Sequence, residues 1–377
     1  MLSILVVSQN SEGFGLARRF ANEGNIVKFW DSPRGVYPET KRLRVIDDYK
    51  AAAEAVDFIF LCSPGFGAFA ATMGKAGRVV FGGGLFQDVI EEDPKLISRL
   101  MSLQEGVEEF RIKLCLLLVK GNLLADPLLG ISYERLMDGD RGPYIGSAGE
   151  CTLLLKDGRL LSHTYKTVES ILREKAYSGF LTLTLGVGEG SLTLKEMTTS
   201  FDPAYYTIFE RVRENIGESI YTSILDRPRF RVMEDKVSTG VRLSFPPFPY
   251  TSTSVVDLSS ALDVNPEAEK HFWWSGPALT LGWVTGWGRD TNESRRRVYR
   301  TIETIVRKPE VQYRGDICWR KQNSDIIFNK LQEEGWIDAP YSRKIGESIR
   351  EQPAGVNKHL QGKGKDRECE TQESGQS

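Results

Sequence analysis

Histidine is nearly missing from this 377-residue chain; His163, His271 and His359 are the full set. Three widely separated imidazoles argue against a histidine-based metal centre and against a cysteine–histidine dyad. Cysteine is scarce as well. Cys62, Cys115, Cys151, Cys318 and Cys369 show no CxxC and no metal-ligand spacing. Their odd number and wide separation imply reduced thiols in a cytoplasmic protein. Cys62 and Cys115 lie in apolar runs and read as buried structural thiols. No stretch of about eighteen apolar residues occurs, so no membrane span is expected. A formal net charge of −2 argues against a nucleic-acid or membrane partner held by bulk electrostatics, leaving only a local basic site open. The opening MLSILVVSQNSEG lacks a basic region and a small-residue cleavage site, so it reads as a first strand rather than a signal peptide.

What is present is an ordinary globular composition, 40% hydrophobic and 27% charged, in a chain long enough for two or three domains. Strand-like LSILVVSQN, NIVKFWD, VDFIFLCSPG and GRVVFGGG alternate with helical stretches over residues 1–90, which predicts an open parallel sheet. The turns SQNSEGFG and CSPGFG would sit at its carboxyl edge, where such sheets bind ligands. GFGLAR alone is a weak dinucleotide signal, with Ser8, Asn10 and Ser11 in the tight turn. A charged helical connector is expected over 91–110. A hairpin follows, turning at Lys120–Asn122, and then a helix with Val168, Ile171 and Leu172 on one face. A second leucine-rich hairpin turns at 186–190, and a helix covers about 205–226. Residues 240–276 read as loop-rich. LTLGWVTGWG is a strand leading into a helix that starts near Asp290. Asp290 and Glu293 form a capping box there, and Val298, Tyr299, Ile302, Ile305 and Val306 form the buried stripe. The cluster SRRRVYR, bracketed by Glu293 and Glu303, is a solvated helix face. Trp273, Trp274, Trp283, Trp287 and Trp319 suit a core or a partner interface better than a nucleotide stack. The polar, aromatic-poor 340–377 reads as a disordered tail.

One stretch, LMDGDRGPYIGSAG at 136–149, packs four glycines and a proline among charged groups. It is either a turn or a loop whose amides could face an anion. DGDRGPYIGSAG resembles the DGDxGPNTGGMG loop of the phosphoribosylamine–glycine ligase family, within the ATP-grasp superfamily. YSGFLTLTLGVGEGSLTLKEMTTSFDP resembles that family's YxGxLYxGLM…PKVIEFNxRFGDPE hairpin. VTGWGRDTNESRRRVY is similar to its VxxxGxTxxEAxxxAY helix start, and YRGDICWR to its YRxDIGxR. The four matches are collinear over 138–320.

The fold this resemblance implies is α/β and α+β. It comprises an N-terminal open parallel domain (1–90), a truncated ATP-grasp-like core (91–239) and a small C-terminal α/β domain (240–335). The family reaction uses ATP and Mg²⁺ to activate a glycine carboxylate for attack by an amine. By resemblance, Asp138, Gly139, Asp140, Gly142, Pro143, Gly146 and Gly149 match the substrate loop, while Tyr144, Ile145, Ser147 and Ala148 depart from it. Glu196 matches the magnesium glutamate, Thr198 stands at the asparagine ligand and Ser200 at the arginine. Asp202 and Pro203 are kept, and Ala204 replaces a glutamate. Arg314, Asp316, Trp319 and Arg320 lie in the last match; the arginine–aspartate pair reads as structural. The first turn has serines and asparagine for glycines and Glu12 at the arginine position, and SPGFGA keeps only Pro64 of GPExPL.

About twenty-five residues separate VVFGGG from RIKLCLLLV, too few for the family's lid over the ATP phosphates. The expectation is a divergent ligase-like protein with activity lost or reduced. The alternatives are an active carboxylate–amine ligase with a changed substrate, or a non-catalytic pseudo-enzyme that engages a protein partner through residues 246–287.

Overall fold

The run SILVVSQ forms β1 (Ser3–Gln9), the central strand of the first sheet. In the computed structural model the described residues are 1–9, 11, 13–32, 37, 40–83, 109–227, 230–233, 236–250, 260–275, 279–319 and 324–338. β1 is followed by α1 (Phe14–Asn22), β2 (Ile26–Ser32), β3 (Leu43–Val45), α2 (Tyr49–Ala53), β4 (Phe58–Leu61), α3 (Gly67–Lys75) and β5 (Val79–Phe81). The sheet order is β3-β2-β1-β4-β5, and every pairing is parallel. Parallel strands need both faces covered, which is why β1 is apolar without alternation. Ile4 and Val6 meet Phe14 and Phe20 of α1 on one side; Leu5 and Val7 meet Ala53 and Ala70 on the other.

The second sheet is built from β6 (Phe110–Val119), β7 (Asn122–Leu123), β8 (Leu128–Met137), β9 (Arg141–Leu154), β10 (Gly179–Gly188), β11 (Ser191–Thr198), β12 (Val237–Ser244), β13 (Phe272–Trp274) and β14 (Thr280–Gly288). Its order is β11-β10-β6-β8-β9-β12-β14-β13, with β7 beside β6. Between them run α4 (Arg159–His163), α5 (Tyr165–Glu174), α6 (Ala204–Phe209), α7 (Ile216–Ile224), α8 (Thr291–Ile305) and α9 (Ser324–Glu333). β6 shows why the sheet is two-sided. Ile112, Leu114, Leu116 and Leu118 face a core closed by α4, α5, α8 and α9. Cys115, Leu117 and Val119 alternate with them and face α6, α7 and the first sheet. Lys113 shares that second face by the same period.

The parallel sheet, both hairpins and the Asp290-capped helix stand as the sequence predicts; the Asp290 side chain accepts from the Glu293 amide. The second hairpin turns later than expected, after Gly188, because β10 stays paired to β6 as far as Val187. The helix expected over 205–226 is two helices. Arg211, fully buried, donates to the Lys236 carbonyl, Val212 bridges Val232, and Asn215 caps α7, so the chain leaves the helical path between them. The expected boundary at 239/240 falls inside β12, which pairs with β9 on one side and β14 on the other. The 91–110 connector, apart from its last two residues, and the tail from 340 lie outside the described residues, as does the stretch on which the lid argument rests. Trp273 and Trp283 are buried, and Trp273 stacks on Tyr206 at 4.7 Å beneath Arg19. These aromatics are core at the junction with α1.

The same junction carries Glu23, whose Oε2 accepts from the Ile216 amide at 2.9 Å. Burial pushes its carboxyl up to about 7, against the opposing pull of Arg19. The folded state therefore holds this proton where the unfolded chain has lost it. Its contribution is complete below pH 4.5 and is lost as the pH rises to about 7. Glu23→Gln, which keeps an acceptor for Ile216, should flatten the urea-unfolding free energy across that window. It should also stabilise the protein at pH 8 by on the order of 2 kcal/mol. An unchanged pH slope in the variant would remove Glu23 as its source.

Candidate functional site

Charge on an inward-facing sheet surface is costly unless paired, and the second face of the large sheet carries a cluster of it. Lys113 on β6 places Nζ 2.8 Å from Asp202 and 3.3 Å from Glu150 of β9. Glu150 is fully buried and also accepts from Ser132 at 2.7 Å and Ser147 at 2.7 Å. Burial raises its carboxyl pKa, with Lys113 opposing. Burial likewise works against the Lys113 charge, but Asp202 and Glu150 together outweigh it and hold the ammonium above its ordinary range. Arg242 of β12 stands over Trp283 at 5.1 Å, its pKa lowered to about 10 by burial while Glu150 and Asp202 oppose the shift.

At the edge of this face Glu196 is exposed on β11, level with Thr184, which is itself level with Lys113. Thr198 shares a 2.6 Å hydrogen bond with Ser200. Tyr144, 61% exposed, has its hydroxyl pKa raised by partial burial and by the charges of Glu134 and Glu196, with Arg111 and Lys113 opposing. The tip of the predicted loop and the predicted metal position thus share one electrostatic neighbourhood.

The rest of the predicted loop is a hairpin. Gly139 and Asp140, both at positive φ, make the turn between β8 and β9, a conformation that glycine and aspartate tolerate. Its carboxylates are engaged inside the protein. Asp140 accepts from Arg314 Nη1 at 2.7 Å, Asp138 from the Gly315 amide at 2.7 Å, and Asp316 from the Gly139 amide at 2.8 Å. Arg314, 1% exposed, grips Asp316 through Nε at 2.5 Å and Nη2 at 3.0 Å. Gly142, Pro143 and Gly146 lie along β9. Gly149 is needed where the backbones close up, since a Cβ there would stand 2.6 Å from Ile317. The first turn is internally bonded too: Ser8 accepts from the Gly13 amide and the Ser11 amide donates to Asp31, while Asn10, Glu12 and Arg320 lie outside the described residues.

The donors present do not fit a divalent-ion cage. Among the described residues no three acidic, cysteine or histidine side chains converge. Glu150 and Asp202 already share an ammonium, and Glu196 stands apart from both. Magnesium held by carboxylates needs several oxygens in octahedral geometry. Reading the sequence by family pattern missed Lys113, Glu150 and Arg242. The available signal was a lone lysine within the apolar RIKLCLLLV and a lone glutamate opening ECTLLL.

No family model matches the chain, and no curated protein sequence matches it. Solved structures do. The phosphoribosylamine–glycine ligase of Thermotoga maritima superposes with a TM-score of 0.59 at 15% identity, covering 83% of this chain and 99% of that one. Biotin carboxylase of Campylobacter jejuni gives 0.55 at 11% identity, covering 87% and 97%. The N5-carboxyaminoimidazole ribonucleotide synthetase of Thermotoga maritima gives 0.53 at 10% identity, covering 83% and 100%. At such identities the likeness speaks for architecture alone: the chain has the ATP-grasp-like fold that these enzymes share.

Proposed function

We propose that this chain is a ligase-like protein of phosphoribosylamine–glycine ligase descent in which magnesium-dependent ATP chemistry is lost or reduced. The observation that carries the reading is the Lys113 ammonium between Glu150 and Asp202, which supplies on the chain the positive charge those carboxylates would otherwise offer to an ion. The short 85–110 stretch and the exchange of the polar loop tip for Tyr144 and Ile145 support it. Four buried, free thiols suit a reducing, cytoplasmic setting. No helix among the described residues is long and apolar enough to cross a membrane. A second reading, an active carboxylate–amine ligase with a changed substrate, is favoured by the approach of Tyr144 to the field of Glu196. In that case Glu196 and Thr198 would hold the ion.

Calorimetry with ATP and Mg²⁺ separates the two. The proposal expects no measurable heat at millimolar nucleotide, with or without magnesium, in both the wild type and Glu196→Ala. Tight magnesium-dependent binding that Glu196→Ala abolishes would replace it with the second reading.

A further inference from the structure

A cavity of about 600 Å³ opens between the tip of β8, the end of α8 and the segment 308–315, away from the Lys113 cluster. Its volume is that of a small-molecule site. The walls are largely apolar, from Leu136, Met137, Val306 and Val311, with Tyr313 at the rim. Met137 and Tyr313 are 53% and 39% exposed, unusual for side chains of this kind unless they meet something apolar.

Three polar groups interrupt that lining, and their partners are unequal. Asp138 accepts from the Gly315 amide through Oδ1 alone. Gln312 has its backbone tied to Ser244, but its side-chain Oε1 is buried without a hydrogen-bond partner, an arrangement that costs stability unless a donor arrives. Lys308 has no acidic partner among the described residues. One acceptor lacking a donor, one carboxylate with an oxygen to spare and one unpaired ammonium ask for a ligand with both an N–H end and an acidic end.

We propose that this cavity binds a small zwitterion with an apolar body. Its ammonium meets Gln312 Oε1 and Asp138, its carboxylate meets Lys308, and its body covers Met137 and Val311. The site is independent of whether ATP chemistry survives, because none of its groups belongs to the Lys113 face.

The test uses the full chain and three probes with one phenyl body: L-phenylalanine, 3-phenylpropionate and 2-phenylethylamine. Binding is read from the methyl resonances of Met137, Val306 and Val311. L-Phenylalanine should shift these resonances and bind at least about tenfold tighter than either single-charge probe. Lys308→Ala should cost about tenfold in its affinity, the scale of one charge-assisted contact. Val311→Trp, which fills the cavity, should abolish the shifts; Gln312→Leu is the milder variant should the tryptophan prevent folding. Shifts from none of the three probes would overturn the proposal. So would equal affinity for all three, or L-phenylalanine binding unchanged in Lys308→Ala and Gln312→Leu.

Discussion

Lys113→Met should unfold at markedly lower urea than the wild type, losing roughly 3–5 kcal/mol at pH 7, because it strands Glu150 as an uncompensated buried charge. The Glu150 carboxyl is already raised by burial, and removing Lys113 takes away the opposing term. A group with a raised folded-state pKa gives its full contribution at low pH and loses it as the pH climbs. The deficit should therefore shrink as the pH falls toward the unfolded carboxylate range, where Glu150 takes up a proton. Adding Glu150→Gln should recover much of the loss, and the double-mutant cycle gives the coupling energy directly. A deficit that is independent of pH and additive with Glu150→Gln would mean that Lys113 acts through packing alone.

Arg314→Leu should be comparably costly, again roughly 3–5 kcal/mol, because one guanidinium holds Asp316, Asp140 and the Arg135 carbonyl together. Burial by itself would raise the Asp316 carboxyl, yet Arg314 and the Gly139 amide hold it below its ordinary value. A depressed carboxylate stabilises above its unfolded pKa and loses that contribution as the pH falls through the folded value. The gap between wild type and variant should then narrow in acid, opposite to pH-independent cavity loss. Hydrogen exchange gives the local readout: the Gly139 amide, now bonded to Asp316, should exchange much faster in the variant. Protection retained at Gly139 would show that the turn stands without its C-terminal clamp.

The sequence made the parallel sheet legible because its strands are apolar runs bounded by glycine turns, and local pattern decides such elements. The helix at Asp290 was legible for a similar reason, a cap and a stripe within one short window. Pairings made across long separations were not. Arg314 and Asp140 meet 174 residues apart, so nothing local marked the acids of the DGD turn as engaged by the C-terminal segment. The break between α6 and α7 likewise depends on Arg211 reaching Lys236. At the candidate site, family pattern pointed to Glu196 and Thr198, while the buried charges fell at positions where only the alternation of β6 and β9 reveals which face they share.

An ammonium carried on the chain differs from a bound ion in having no dissociation constant. Lys113 arrives with every folded copy, so the neutrality of the Glu150–Asp202 pair tracks protein concentration instead of magnesium supply. Chelators, competing cations and nucleotide-bound magnesium leave it untouched. The same permanence removes a degree of control, since a face neutralised by its own lysine cannot be switched by the arrival or departure of a metal.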